Sequence, residues 1–137
     1  RFVTAGKGAA DGLRPEMIAV DAGGLVGSVY AAGRHSAQVL LITDPLSSVS
    51  VVNERTGEIY VLTGQDFDRL DLQYATVHSD LRVGDRLLTS GYSYRYPKGL
   101  PVGTVTAVRL PPNSLTKKAV VKPAADLAGL DIIFLLR

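Results

Sequence analysis

DGLRPEMIAVDAGGLVGSV, residues 11–29, returns in lengthened form as DLRVGDRLLTSGYSYRYPKGLPVGTV, residues 80–105. Both stretches run Asp, Leu-Arg, a turn, a strand, a loop and then Gly-Leu-(Pro)-Val-Gly-x-Val, which aligns Gly27 with Gly103. The correspondence continues downstream. VLLITDPLSSVSVV (39–52) and AVVKPAADLAGLDIIFLL (119–136) each read as strand, proline, short turn, strand. Upstream, VTAGKGAAD (3–11) pairs with LQYATVHSD (72–80). Self-similarity on this scale marks a repeated structural unit.

The unit is β. Runs rich in Val, Ile, Leu, Thr and Tyr alternate with Gly, Pro, Asn and Asp, and no segment sustains a helical period for ten residues. The pattern predicts strands at 2–5, 17–20, 25–30, 39–42, 49–53, 58–62, 71–74, 86–89, 102–110, 118–121 and 131–136. Single helical turns are expected after Asp44-Pro45, with Asp44 as cap, and after Pro123. A sheet of five or six strands leaves costly unpaired edges unless it closes on itself. The expected architecture is therefore all-β: two small, six-stranded barrels related by internal duplication. They divide at 64–69, where the strand pattern breaks, giving units 1–66 and 67–137. The pattern leaves strand exchange between them open.

Hydrophobic residues make up 46% of the 137 and charged residues 20%, enough for a packed core. The net charge of +2 does not argue for nucleic acid, and the one adjacent basic pair is Lys117-Lys118. Without cysteine there is no disulfide, thiolate metal site or cysteine nucleophile. No apolar run is long enough to span a bilayer. A start at Arg1 and a single methionine, Met17, suggest a fragment whose upstream anchor lies elsewhere.

Catalytic chemistry finds little footing. His35, Asp44 and Ser90 are the residue types of a hydrolytic triad, but Ser90 lacks the glycine-rich surroundings of an oxyanion hole. Two isolated histidines and no calcium-loop spacing give no metal site, and GKGAADG (6–12) lacks the helix a phosphate cradle requires. No catalytic residue, metal or cofactor is assigned. The aromatic alternation YSYRY (92–96) has three readings: a buried strand face, a protein-contact surface, or a stacking platform for single-stranded nucleic acid beside Arg95 and Lys98. The candidate contact loop is Tyr92, Tyr94, Arg95, Tyr96 and Lys98. Gly24, Gly27, Gly99, Pro101 and Gly103 are the expected turn determinants.

DAGGLVGSV, VLLITDPLSSV, LRVGDRLLTSG, YPKGLPVGTV and VKPAADLAGLDIIFLL resemble, in order and over nearly the whole chain, landmarks of the MreC family of bacterial rod shape-determining proteins. The resemblance implies a pair of small extracytoplasmic barrels behind a membrane anchor and a coiled coil. It implies a scaffold of the cell-elongation complex and no enzyme. The implied partners are a class B penicillin-binding transpeptidase, MreD, other rod-complex proteins, and further copies in a dimer or filament. No nucleic acid is expected. The rival reading is an OB-like barrel binding single-stranded nucleic acid or oligosaccharide. The YSYRY segment departs from the family, where a glycine-rich segment precedes the Pro-Lys-Gly turn.

Overall fold

The computed structural model describes residues 2–92, 95–129 and 132–135. Eleven strands appear where the alternation of apolar and polar residues places them. They are β1 (Phe2–Ala5), β2 (Ile18–Val20), β3 (Leu25–Ala32), β4 (Ala37–Leu41), β5 (Ser48–Asn53), β6 (Ile59–Asp66), β7 (Arg69–Thr76), β8 (Arg86–Thr89), β9 (Pro101–Arg109), β10 (Thr116–Pro123) and β11 (Ile133–Leu135). In β5 and β6 every second residue points inward, so Val49, Val51, Tyr60 and Leu62 fill one core. The single described helical piece is a 3-10 turn at Ala9–Asp11. The turns expected after Asp44-Pro45 and Pro123 do not become helices. The Asp44 carboxylate accepts the Leu46 N–H (2.7 Å) and Asp126 that of Ala128 (3.2 Å), so each aspartate closes a local turn instead.

Six strands close a barrel in the order β10-β7-β6-β5-β8-β9, and five form a second sheet, β1-β4-β3-β2-β11. The duplication is visible in the registers. Ala19 pairs with Gly27 in β2–β3 as Leu87 pairs with Gly103 in β8–β9. Val29 pairs with Val39 as Val105 pairs with Val121, and both pairings shift at the next step. Glu16, at φ 72°, takes the left-handed place that Gly84 takes at 94°; their N–H groups donate to the equivalent carbonyls of Val29 and Val105. The strands correspond as β1 with β7, β2 with β8, β3 with β9 and β4 with β10.

The last strands of the repeats are exchanged. β5 follows β4 but pairs with β8, and β11 follows β10 but pairs with β2. The predicted division at residue 66 must therefore be corrected. It falls in the hairpin between β6 and β7, which are paired neighbours in the closed barrel. The barrel takes strands from residues 48–123, and the second sheet takes both ends of the described chain. Among the described residues β6 has no counterpart, so the second sheet is five-stranded and open between β1 and β11. Ile18, Leu25 and Ile42 pack into the barrel's own core cluster, joining the two sheets through one apolar interior.

A polar network fastens the exchanged β5. Buried Asn53 donates to the Asp85 carboxylate (2.8 Å) just before β8. Arg55 Nε donates to Asp85 (2.7 Å) and its Nη1 to Asp80 (3.0 Å), while the Arg82 N–H also reaches Asp85 (2.9 Å). The Arg55 hydrogen bond, helped by Asn53 and the Arg82 amide, holds the Asp85 carboxyl well below the usual carboxylate range. Below this network, burial pushes the Tyr60 hydroxyl up to about 12, and its oxygen meets Ser79 Oγ at 2.5 Å.

Candidate functional site

The segment 91–99 links β8 to β9 and carries the predicted contact residues. Its described residues form no strand: Gly91 takes φ 80°, and the chain bends again at 95–96. Tyr92 and Tyr96 therefore do not share one strand face. Tyr92 is 70% exposed, with its N–H on Ser90 Oγ (3.2 Å). Tyr96 is 5% exposed and belongs to the barrel core, so its assignment to a contact surface is corrected to a packing role. Tyr94 lies outside the described residues. Arg95 and Lys98 are exposed.

The turn that follows is held by Thr89. Its hydroxyl donates to the Pro97 carbonyl (2.5 Å) and accepts the Leu100 N–H (2.8 Å), while Gly99 sits at φ 93°. Pro101 then opens β9. In the first repeat Asp21 takes the place of Thr89. Its carboxylate accepts the Gly24 N–H (3.0 Å), and Gly24 lies against the Pro101 carbonyl of the other repeat. The Asp21 carboxylate also accepts the Asp126 N–H (2.8 Å), tying the two repeats at this joint. At Gly27 and Gly103 a side chain would strike the Leu40 and Lys122 carbonyl oxygens across the sheet. Of the five predicted turn residues, Gly24 and Gly99 lie in turns, whereas Gly27, Pro101 and Gly103 are corrected to strand positions in β3 and β9, where the two glycines admit a neighbouring carbonyl.

Arg95 reaches across to the first sheet. It lines a cleft of about 250 Å³ with Glu16, Ser28, Tyr30, Leu40 and Leu46. Tyr30 is 58% exposed and stacks edge-on against Phe2, with ring centroids 5.0 Å apart; Leu46 is 73% exposed. By the register, the second repeat has Thr106 for Tyr30 and Lys122 for Leu40. The same backbone therefore needs no apolar residue at these points. An apolar floor with an aromatic wall and an exposed cation at the rim suits contact with another protein. Tyr30 and Leu46 escaped the sequence reading because a lone Tyr in a strand and a lone Leu in a turn look like core. Their mismatch with Thr106 and Ala128 was the available signal.

The serine of the hydrolytic triplet is otherwise engaged. Ser90 Oγ bonds Ser50 Oγ at 2.7 Å, and His35 sits exposed in the turn between β3 and β4.

Residues 1–137 match the family model described as rod shape-determining protein MreC, barrel core. The chain is 31% identical over 136 residues to the cell shape-determining protein MreC of Listeria monocytogenes, covering 96% of this chain and 46% of that protein. It thus spans less than half the length of that relative. The crystal structure of MreC from Pseudomonas aeruginosa superimposes with a TM-score of 0.95 at 30% identity, covering 98% of this chain and 88% of the other. The fold is also shared, at 22% identity and a TM-score of 0.66, with a complex between penicillin-binding protein PBP2 and MreC from Helicobacter pylori; that match covers 85% of this chain and 73% of the other.

Proposed function

The chain belongs to the MreC family of rod shape-determining proteins, and from that premise we propose that it is a non-enzymatic, extracytoplasmic scaffold that recruits a class B penicillin-binding transpeptidase to the cell-elongation complex. The observation that carries this reading is the Tyr30–Leu40–Leu46 cleft with Arg95 at its rim. It exposes the large side chains of Tyr30 and Leu46 where the second repeat has only Thr106 and Ala128, as a binding surface does and a purely structural one need not. The Helicobacter pylori complex with PBP2 supports a partner of this class.

Recruitment is the core of the proposal. Activation would follow if the scaffold binds one conformation of the transpeptidase more tightly than another. MreD, other rod-complex proteins and further copies of the chain are the remaining partners in this reading, with a membrane anchor outside the present sequence holding it at the cell surface. Tyr92, Arg95 and Lys98 flank the docking site, and Tyr96 supports their loop from within.

The test is the affinity of the chain for the extracytoplasmic region of the transpeptidase. Tyr30→Asp and Leu46→Asp are expected to weaken binding by about tenfold or more each, since buried hot-spot contacts are worth about 2 kcal/mol. Both are surface changes, so melting temperatures should hold. Unchanged affinity in both variants would remove the cleft from the interface.

A further inference from the structure

The hairpin between β9 and β10 ends in RLPPNSLTKK, residues 109–118. Two leucines stand out at its tip, Leu110 at 52% and Leu115 at 83% exposure. Behind them Arg109 and Lys118 lie directly opposite each other in the strand register, both exposed. Like charges in that arrangement repel. Neither makes an ion pair with any described residue. Residues 86–125 hold seven of the chain's fifteen basic residues and none of its thirteen acidic ones, which leaves the rest of the chain at −5. The near-neutral total conceals this division.

The tip also satisfies part of its own backbone. Pro111 and Pro112 have no N–H, the Ser114 N–H donates to the Pro111 carbonyl (3.1 Å), and the Thr116 N–H donates to Ser114 Oγ (3.2 Å). The Ser114 hydroxyl in turn donates to the Thr116 carbonyl (2.9 Å), and Asn113 takes φ 60° to complete the turn. Each internal bond or missing donor lowers the cost of moving the tip from water toward an apolar layer. Protein interfaces favour aromatic anchors, whereas residues 97–133 contain no aromatic residue at all. Exposed aliphatic side chains backed by two cations without ion pairs match the boundary between lipid headgroups and acyl chains.

We infer that the β9–β10 hairpin docks on the surface of an anionic phospholipid bilayer, with Leu110 and Leu115 entering the headgroup–acyl boundary and Arg109 and Lys118 against lipid phosphates. This surface is separate from the cleft and does not depend on the transpeptidase reading. It would orient the scaffold relative to the membrane.

Vesicles of phosphatidylcholine alone and of phosphatidylcholine mixed with phosphatidylglycerol provide the test. The chain should partition onto the anionic vesicles only, and less as salt rises. Arg109→Ser with Lys118→Ser should lower partitioning about 25-fold, at about fivefold per cation. Leu110→Ser with Leu115→Ser should lower it about fivefold or more, while Val83→Ser, exposed elsewhere, should bind as the parent does. The chain has no tryptophan, so Leu115→Trp gives a single reporter, expected to shift to the blue and to be quenched by brominated lipid. Equal binding to neutral vesicles, or an unshifted tryptophan, would overturn the inference. So would a leucine variant that binds like the parent while the cation variant does not, the behaviour of a platform for an acidic protein.

Discussion

At the scale of single residues, the duplication makes the strongest demands on Gly27 and Gly103. Each sits where a side chain would meet the carbonyl oxygen of a neighbouring strand. Gly27→Val and Gly103→Val are each expected to cost about 1–3 kcal/mol, the usual range for overpacking, read as a lowered denaturant midpoint. Unchanged midpoints would mean the strands can part without cost. Asp85 sets a pH dependence. Its folded pKa is depressed, chiefly by the Arg55 hydrogen bond, so its stabilisation is complete above the ordinary carboxylate value of about 3.9. It is lost as pH falls from there toward the folded value. The melting temperature should stay level from neutrality to about pH 5 and drop below about pH 4. Asp85→Asn should lower it at neutral pH and flatten part of the acid limb; an equally steep limb would assign the effect to other carboxylates.

At the scale of elements, most strands were legible because alternation and punctuation by Gly, Pro and Asp are local signals. The segment 92–96 was not. Tyr92, Tyr94 and Tyr96 keep strand spacing, yet the left-handed Gly91 takes the chain out of the ladder, and Tyr96 turns into the barrel while Tyr92 faces water. Tyr92→Ser should therefore leave stability within about 0.5 kcal/mol, as surface changes do. Tyr96→Ser should cost about 3 kcal/mol or more, as large-to-small core changes do. Thermal melts of the two variants decide it, and equal losses would contradict the division of roles. The proposed interaction surfaces were hidden for a different reason. The cleft gathers Glu16, Tyr30, Leu40, Leu46 and Arg95 from separate elements, and the basic stretch 86–125 vanishes into a net charge of +2. Long-range assembly and whole-chain averaging both erase what a local reading can see.

At the scale of the whole molecule, the exchange of β5 and β11 makes the two repeats one folding unit. The repeats could be read from sequence, but pairing between distant strands is set by tertiary packing, and a cut at residue 66 would open the barrel between β6 and β7. Fragments 1–66 and 67–137 should each lack a cooperative melt when alone, and recover one when mixed; independent folding of either would contradict the exchange. The same exchange serves the proposed scaffold, because the cleft combines side chains from the first sheet with Arg95 from the β8–β9 loop. Hydrogen exchange of the chain with and without the transpeptidase's extracytoplasmic region tests that claim most directly. Protection on binding should concentrate at residues 28–30, 40–46 and 92–96 and leave β6 and β7 unchanged. Saturated binding with protection confined to the barrel's β6–β7 side would contradict the assignment of the cleft as the docking site.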